Sequence, residues 1–428
     1  MSGGEERVPK GYKQTEVGVI PEDWRCESLN EHARIIHGYG FKSVYFTALS
    51  DFHLTTPGNF YEIGGFRKLE EKQKFYDGPI PNGYILQAAN LIIAMTEQAD
   101  GLLGSAALVP SDNTYLHNQR LGLVKTKSNA ISISYLYRIF NSKPYRQKVR
   151  ETAAGTKVKH TSPQKLLEIM AIFPSIVEQD AITKSLSNSD SQIQSLENLI
   201  AKKRDIKHGT IQELLTGKTR LPGFNEEWEF KSIGEIAQVI GGGTPSTQVS
   251  NYWGGGINWF TPTEVGSTKY LSKSVRKLTD SGLQNSSASL LPMGAILLTS
   301  RAGIGDLGIL NAIACTNQGF QSLVCNDKVN NEFLYYVMLT KRPELERRSS
   351  GSTFLEINPR EVNSLLIPLP RINEQEAIVE VLSDMDAEIT ALEQRLEKAK
   401  AIKQGMMQQL LTGRIRLVEP SKPVEANA

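Results

Sequence analysis

Side chains able to hydrogen-bond the edge of a nucleic-acid base recur on turn-forming stretches in both halves of this chain. In the first half Tyr39 and Lys42 follow Gly38, Asn118, Gln119 and Arg120 stand together, and Lys157, Lys159 and His160 follow Gly155. In the second half the equivalent stretches hold Thr244, Ser246 and Trp253, then Arg301, then Asn317 and Gln318, then Thr353. Arg, Lys, Asn and Gln are the side chains that pair bidentately with base edges in the major groove. Covalent chemistry finds no such support. The histidines, His32, His37, His53, His117, His160 and His208, form neither an HExxH pair nor a nucleophile triad. Gly217-Lys218-Thr219 looks like the end of a phosphate-binding loop, but Gln212 stands where that loop needs its first glycine. Asn141-Ser142-Lys143-Pro144-Tyr145 lacks a proline of the amino-methyltransferase signature and reads as a basic helix end. These residues describe a binding surface without a catalytic constellation.

The elements that position them come in duplicate. Trp24 to Gly38 aligns with Trp228 to Gly242, matching Ser28 with Ser232, Glu31 with Glu235, Ala33 with Ala237 and Ile36 with Ile240. Asn118-Gln119 then aligns with Asn317-Gln318, Gly155-Thr156 with Gly351-Ser352, and Pro163 with Pro359. Glu178-Gln179-Asp180-Ala181-Ile182 aligns with Glu374-Gln375-Glu376-Ala377-Ile378, and Leu214 to Leu221 with Leu410 to Leu417. The offset falls from 204 residues to 196, so insertions and deletions lie inside the variable part of each half. Two units of this length are a duplication with pseudo-twofold character, not a solenoid of short repeats.

Each half closes on a helical pattern. Ser175 with Glu178, and Asn373 with Glu376, read as helix starts of the capping-box kind. Ile182, Leu186, Ile193, Leu196 and Ile200 alternate at spacings of four and three, with Ser189 filling one slot. Ile378, Leu382, Met385, Ile389, Leu392, Leu396, Ala399, Met406 and Leu410 continue that seam in the second half with one lapse near Lys403. Such a seam predicts a coiled coil, antiparallel if the duplication obeys a twofold axis. Gly209 and Gly405 occupy aligned places inside the pattern, where glycine costs about 1 kcal/mol relative to alanine. Either the helix breaks there or another backbone comes close. Short apolar runs at Asn90–Met95, Ala106–Val109, Ala295–Thr299 and Gln321–Val324 predict strands, and Tyr135–Phe140 and Phe333–Leu339 predict helices packed on them.

Composition bounds the partners. The 428 residues exceed one ordinary hydrophobic core, and a net charge of +2 gives no general pull on a polyanion, so attraction must come from local clusters. Cys26, Cys315 and Cys325 form no CxxC pair, which predicts reduced thiols and no structural metal. A charged start from Met1 to Lys10 and no long apolar run predict a cytoplasmic chain with no membrane partner.

Taken together, the W-x-x-x-S-[LI]-x-E-x-A start in each half, Ser300-Arg301-Ala302-Gly303-Ile304-Gly305, the repeated Asn-Gln pair, the repeated P-x-x-x-E-Q-x-A-I helix entry and the repeated Leu-Leu-Thr-Gly resemble the specificity subunits of type I restriction–modification systems. The resemblance implies an α+β protein with two pseudo-symmetric target-recognition domains joined by two long antiparallel coiled-coil helices. On that reading residues 1–20 are an N-terminal arm, 21–175 and 217–371 the recognition domains, 176–216 and 372–412 the spacer helices, and 413–428 a tail. It also implies double-stranded DNA, two methyltransferase subunits and restriction subunits as partners, with S-adenosylmethionine, ATP and magnesium used by those partners and no cofactor in this chain. Lys202, Lys203, Arg204, Gly209 and Gly405 are then partner-binding candidates on the helices. A stand-alone methyltransferase or nuclease and a DNA-independent scaffold are the competing readings. The sequence departs from the pattern where Gln98-Ala99-Asp100-Gly101 faces Ser300-Arg301-Ala302-Gly303. Residues common to both halves cannot make the halves read different sequences. Asn118, Gln119, Asn317 and Gln318 are therefore expected to stabilise turns or touch phosphate, and Tyr39, Lys42, Lys159, His160, Thr244, Trp253 and Arg301 to read bases.

Overall fold

The computed structural model describes residues 8–97, 99–155, 158–301, 303–350 and 355–419. Its contacts divide the chain into two units, residues 1–195 with 395–428, and residues 196–394. The long helices are thus not separate bodies. Each is shared between the units, and the expected N-terminal arm is a hairpin, Tyr12–Thr15 with Gly18–Pro21, within the first.

In the first unit a four-stranded antiparallel sheet runs Ala33–His37, Leu121–Thr126, Leu91–Ala94, Ala106–Leu108. Its central strand Leu91–Ala94 is apolar at every position because both faces are covered. Leu91, Ile93 and Val124 join a core with Trp24, Tyr135 and Phe140, while Ile92, Ala94, Leu121 and Leu123 join a second core with Phe60 and Tyr115. A smaller sheet of Tyr115–Leu116, His53–Leu54, Phe75–Tyr76 and Phe46–Thr47 lies beyond. The predicted helix is present as Ile133–Phe140. Residues 143–152 are a correction: they form a helix that begins at Lys143 with Pro144 in its first turn, where proline's missing N–H costs nothing, so this segment starts a helix and does not end one.

The second unit repeats the plan with different trimmings. A five-stranded sheet runs Ala237–Gly241, Gln321–Cys325, Ile296–Leu298, Leu307–Leu310, Tyr270–Leu271, the last pair parallel. Ile296, Leu298 and Leu323 face a core with Phe333 and Tyr336, and Leu297 and Leu310 face one with Phe260 and Phe320. A three-stranded sheet, Arg276–Leu278, Trp253–Phe260, Ala314–Thr316, stands where the first unit has its four short strands.

The two long helices are Ile176–Leu214 and Ile372–Leu410, each 39 residues. Within the first unit Asp190 pairs with Lys403 at 2.5 Å and Ser189 Oγ meets Met406 Sδ at 3.5 Å. Within the second, Lys203 meets Glu388 at 2.7 Å, Arg204 meets Glu393 at 2.5 Å, and Lys207 pairs with Asp386. From Ser189 to Asp190 the partner falls from Met406 to Lys403, and from Lys203 to Lys207 it falls from Glu388 to Asp386, so the paired segments run antiparallel. The lapse at Lys403 is an ion pair inside the seam, and Lys207 repeats it at the aligned position.

Three expectations are corrected here. Glycines 209 and 405 lie in unbroken helix, and a Cβ on either would meet no atom within 4 Å, so neither a break nor a close backbone accounts for them. Ser175 Oγ accepts from the Glu178 N–H at 3.4 Å, but the Glu178 carboxylate does not return to Ser175. Asn373 is already inside its helix, whose first amides, Glu374 and Gln375, donate to the Arg371 carbonyl.

Candidate nucleic-acid interface

In the first unit four loops meet at one end of the main sheet. Tyr39 donates its N–H to the His117 carbonyl at 2.8 Å and accepts from the Gln119 N–H at 2.9 Å, which joins the loop leaving Ala33–His37 to the one entering Leu121–Thr126. The Met95 N–H donates to the Arg120 carbonyl, the Glu97 N–H to the Lys159 carbonyl, and His160 bridges to Thr96 and Ala154. Lys42, Gln119, Arg120, Lys159 and His160 are all exposed on this cluster, whereas Tyr39 is half-buried against Phe41 and Tyr84. Lys157 lies outside the described residues.

The second unit builds the same cluster from the aligned loops. The Asn317 N–H donates to the Phe260 carbonyl at 3.1 Å, the Ser300 N–H donates to the Gly319 carbonyl, and the Ile357 N–H donates to the Ser300 carbonyl. Gly38 and Gly242 serve one purpose in the two units, since a Cβ on either would collide with the carbonyl of Asn118 or Asn317. Thr244 and Ser246 are exposed, and the Thr244 hydroxyl donates to Gln318 Oε1. Arg301 makes an ion pair with Glu356 at 3.0 Å, without the alignment of a hydrogen bond, and its side chain is 43% exposed. Thr353 lies outside the described residues.

The shared asparagines hold turns. Asn118 Oδ1 accepts from the Arg120 N–H at 3.4 Å and Asn317 Oδ1 from the Gly319 N–H at 2.9 Å. Trp253 is more committed than its position on a turn suggests: its Nε1–H donates to the Ser246 carbonyl, the Arg276 guanidinium sits 3.6 Å over its ring, and Trp259 meets it edge-on. Lys203 and Arg204 are spent on the helix pairing described above, whereas Lys202, Gly209 and Gly405 are exposed.

The repeated Glu-Gln of the helix entries is a latch, whereas the sequence pattern casts Glu178 as half of a capping box and gives Glu374 no role. Glu178, 1% exposed, accepts from Trp24 Nε1 at 3.0 Å and from both arms of Arg416 at 2.6 and 2.7 Å. Glu374, 3% exposed, accepts from Trp228 Nε1 at 3.0 Å and from Arg220 at 2.6 and 2.7 Å. Gln179 and Gln375 are fully buried and each joins the helix start to the recognition core through a backbone amide, of Ser132 or Asn330, and two carbonyls. The recurrence of Trp, Glu-Gln and an arginine three residues beyond Thr-Gly in both halves was the available signal. Among the described residues no group of His, Cys, Asp and Glu could hold a metal, and no helix is long and apolar enough to cross a membrane. The three cysteines are free thiols, and burial pushes the Cys315 thiol up to about 11 and that of Cys325 to about 12.

Each unit therefore presents a mixed α and β scaffold whose sheet end carries donors, acceptors and cations. Residues 225–402 match the family described as type I restriction modification DNA specificity domain. Over 165 residues the chain is 40% identical to the type I restriction enzyme MjaIX specificity subunit of Methanocaldococcus jannaschii, covering 38% of each protein. It is 25% identical over 441 positions to the putative type I restriction enzyme MjaX specificity subunit of that organism, covering 95% of this chain and 97% of the relative. Among solved structures, a chain from the type I R-M system superposes with a TM-score of 0.61 at 18% identity, covering 92% of this chain and 99% of that one. The S subunit from M. genitalium gives 0.57 at 13% identity, covering 91% and 96%, and both likenesses speak to the fold. Residues 225–402 thus resemble a type I restriction–modification specificity domain, and the chain as a whole is similar to specificity subunits of such systems.

Proposed function

We propose that this chain is the DNA-reading subunit of a type I restriction–modification complex, with the loop cluster of each unit reading one half of a bipartite target. The observation that carries this reading is the recurrence of one cluster of loops at the same sheet end in both units, held by shared residues such as Asn118 and Asn317 and furnished with unshared ones such as Lys42 and Thr244. Shared groups build the platform; unshared groups give each half its own sequence. The long helices act as a coiled-coil spacer and dock two methyltransferase subunits, which use S-adenosylmethionine to methylate adenine. Restriction subunits, using ATP and magnesium, add cleavage. With a formal charge of +2 the chain alone has little general attraction for phosphate, so partner subunits are expected to strengthen binding.

The test is to reconstitute the chain with its methyltransferase subunits and map methylated adenines across a library of random DNA. A split motif with a fixed spacer is expected, and methylation without sequence preference would overturn the reading. Incubating the chain alone with labelled S-adenosylmethionine and DNA tests the enzyme alternative. Failure of the full complex to retard any DNA would favour the scaffold alternative.

A further inference from the structure

The first unit lacks a cation on the turn where the second unit carries Arg301. The turn that leaves Leu91–Ala94 offers Ala99 and Asp100 instead, and its Gly101 adopts a φ of +84°, close to the +77° of Gly303. Helix Lys143–Thr152 packs against this turn and brings two arginines to it, one helical turn apart. Arg146 is 9% exposed and fully committed: Nε donates to the Leu103 carbonyl at 3.1 Å, Nη1 to the Glu62 carbonyl at 3.2 Å, and Nη2 to the Gly101 carbonyl. Arg150 is exposed, and among the described residues its guanidinium has no hydrogen-bond or ion-pair partner. One of its terminal nitrogens lies 3.4 Å from where a Cβ on residue 101 would stand. Gly101 thus keeps open the space that the guanidinium borders, and the φ there disfavours any other residue.

We infer that Arg150 reads a base in the half-site of the first unit, taking in space the part that Arg301 takes in the second. The ligand is a guanine edge in the major groove, since a planar fork with its donors unspent fits O6 and N7 together. Arg146 beneath it is the positioning residue: it fixes the turn by its carbonyls and, as a like charge, keeps Arg150 from folding back onto them. Arg120 on an adjoining loop already offers a charge of the kind phosphates require. The inference rests on the proposed reading of the unit as a DNA reader.

The experiment uses the complex of this chain with its methyltransferase subunits, carrying wild-type, Arg150→Ala, Arg150→Lys or Arg301→Ala chains, and maps methylation on a random-target library. Both Arg150 variants should lose about 10- to 100-fold of discrimination at one position of the first unit's half-site and none in the other half. Arg301→Ala should do the reverse. The melting temperature of Arg150→Ala should match that of the wild type, since the side chain has no partner to lose. An unchanged map for Arg150→Ala overturns the inference. So does a uniform loss across all sequences that lysine restores, with a salt dependence lower by about one ion, which is the behaviour of a phosphate contact. A wild-type complex with no split motif would instead overturn the underlying reading of the unit.

Discussion

Glu178 and Glu374 are carboxylates almost wholly removed from water, tolerable only because an indole N–H and a bidentate guanidinium meet each of them. Removing one partner of such a pair leaves an uncompensated buried charge. Arg416→Ala is expected to destabilise the first unit by about 3 kcal/mol, and Arg220→Ala the second by a similar amount. Urea denaturation checks this; midpoints equal to wild type would show the pairs to be idle, and Glu178→Gln added to Arg416→Ala should recover most of the loss. His117 gives a pH-dependent counterpart. It is 1% exposed, its Nε2–H donates to the Leu121 carbonyl at 3.0 Å, and burial lowers its pKa to about 4 from an ordinary 6.5. The unfolded chain therefore binds a proton that the folded one refuses. Stability is complete above pH 6.5, declines by up to about 1.4 kcal/mol per pH unit between about 6.5 and 4, and loses nothing more from this group below that. Because the His117 carbonyl also holds Tyr39, the loop cluster should loosen in the same window. Comparing urea midpoints of wild type and His117→Gln at pH 7 and 4.5 tests it: the wild type should lose more on acidification, and equal losses would remove His117 from the account.

Elements were legible wherever a period repeats. The strands Leu91–Ala94 and Gln321–Cys325, the helix Ile133–Phe140 and both 39-residue helices follow from apolar runs and a four-three seam. The latch was not legible, because a Glu at the third helical position satisfies the pattern of a capping box whether its carboxylate turns back to the cap or, as here, across to Trp24 and Arg416. Residues 143–152 were misread because a proline two residues into a basic stretch can close one helix or open the next, and only packing of Tyr145 and Val149 into the core decides. Arg146 and Arg150 escaped for a related reason: their turn is more than forty residues away in sequence, beyond any local period. The exposed glycines remain the clearest energetic debt. Gly209 and Gly405 stand three residues after Ile206 and Ile402, which are 44% and 53% exposed, and among the described residues a Cβ on either glycine would meet no atom within 4 Å. Gly209→Ala and Gly405→Ala should each stabilise the isolated chain by up to about 1 kcal/mol. If the bare backbone serves a methyltransferase subunit, the double variant should melt higher alone and assemble less well. A lower melting point would show a constraint inside the chain that the contacts do not contain.

At the scale of the whole molecule the proposed spacer role of the helices bears on what the two proposed readers could read together. The continuous helices of 39 residues measure about 58 Å at 1.5 Å per residue, the length of about 17 base pairs of DNA. If these helices are the spacer, lengthening both should move the half-sites apart and leave their sequences alone. Seven residues preserve the four-three seam, whereas four would rotate it out of register. The place to add them is where the contacts of one unit give way to those of the other, between Ser195 and Leu196 and between Gln394 and Arg395. Seven residues add about 10.5 Å, or about three base pairs of rise. The inserted turns touch neither the loop clusters nor the Glu178 and Glu374 latches, so both readers should keep their own half-sites. Methylation maps of the parent and the lengthened complex should then show one motif with two spacers, differing by about three base pairs. An active, folded variant with the parental spacer would mean that something other than helix length sets the distance, and altered half-site sequences would mean that the readers are not independent of the helices that carry them.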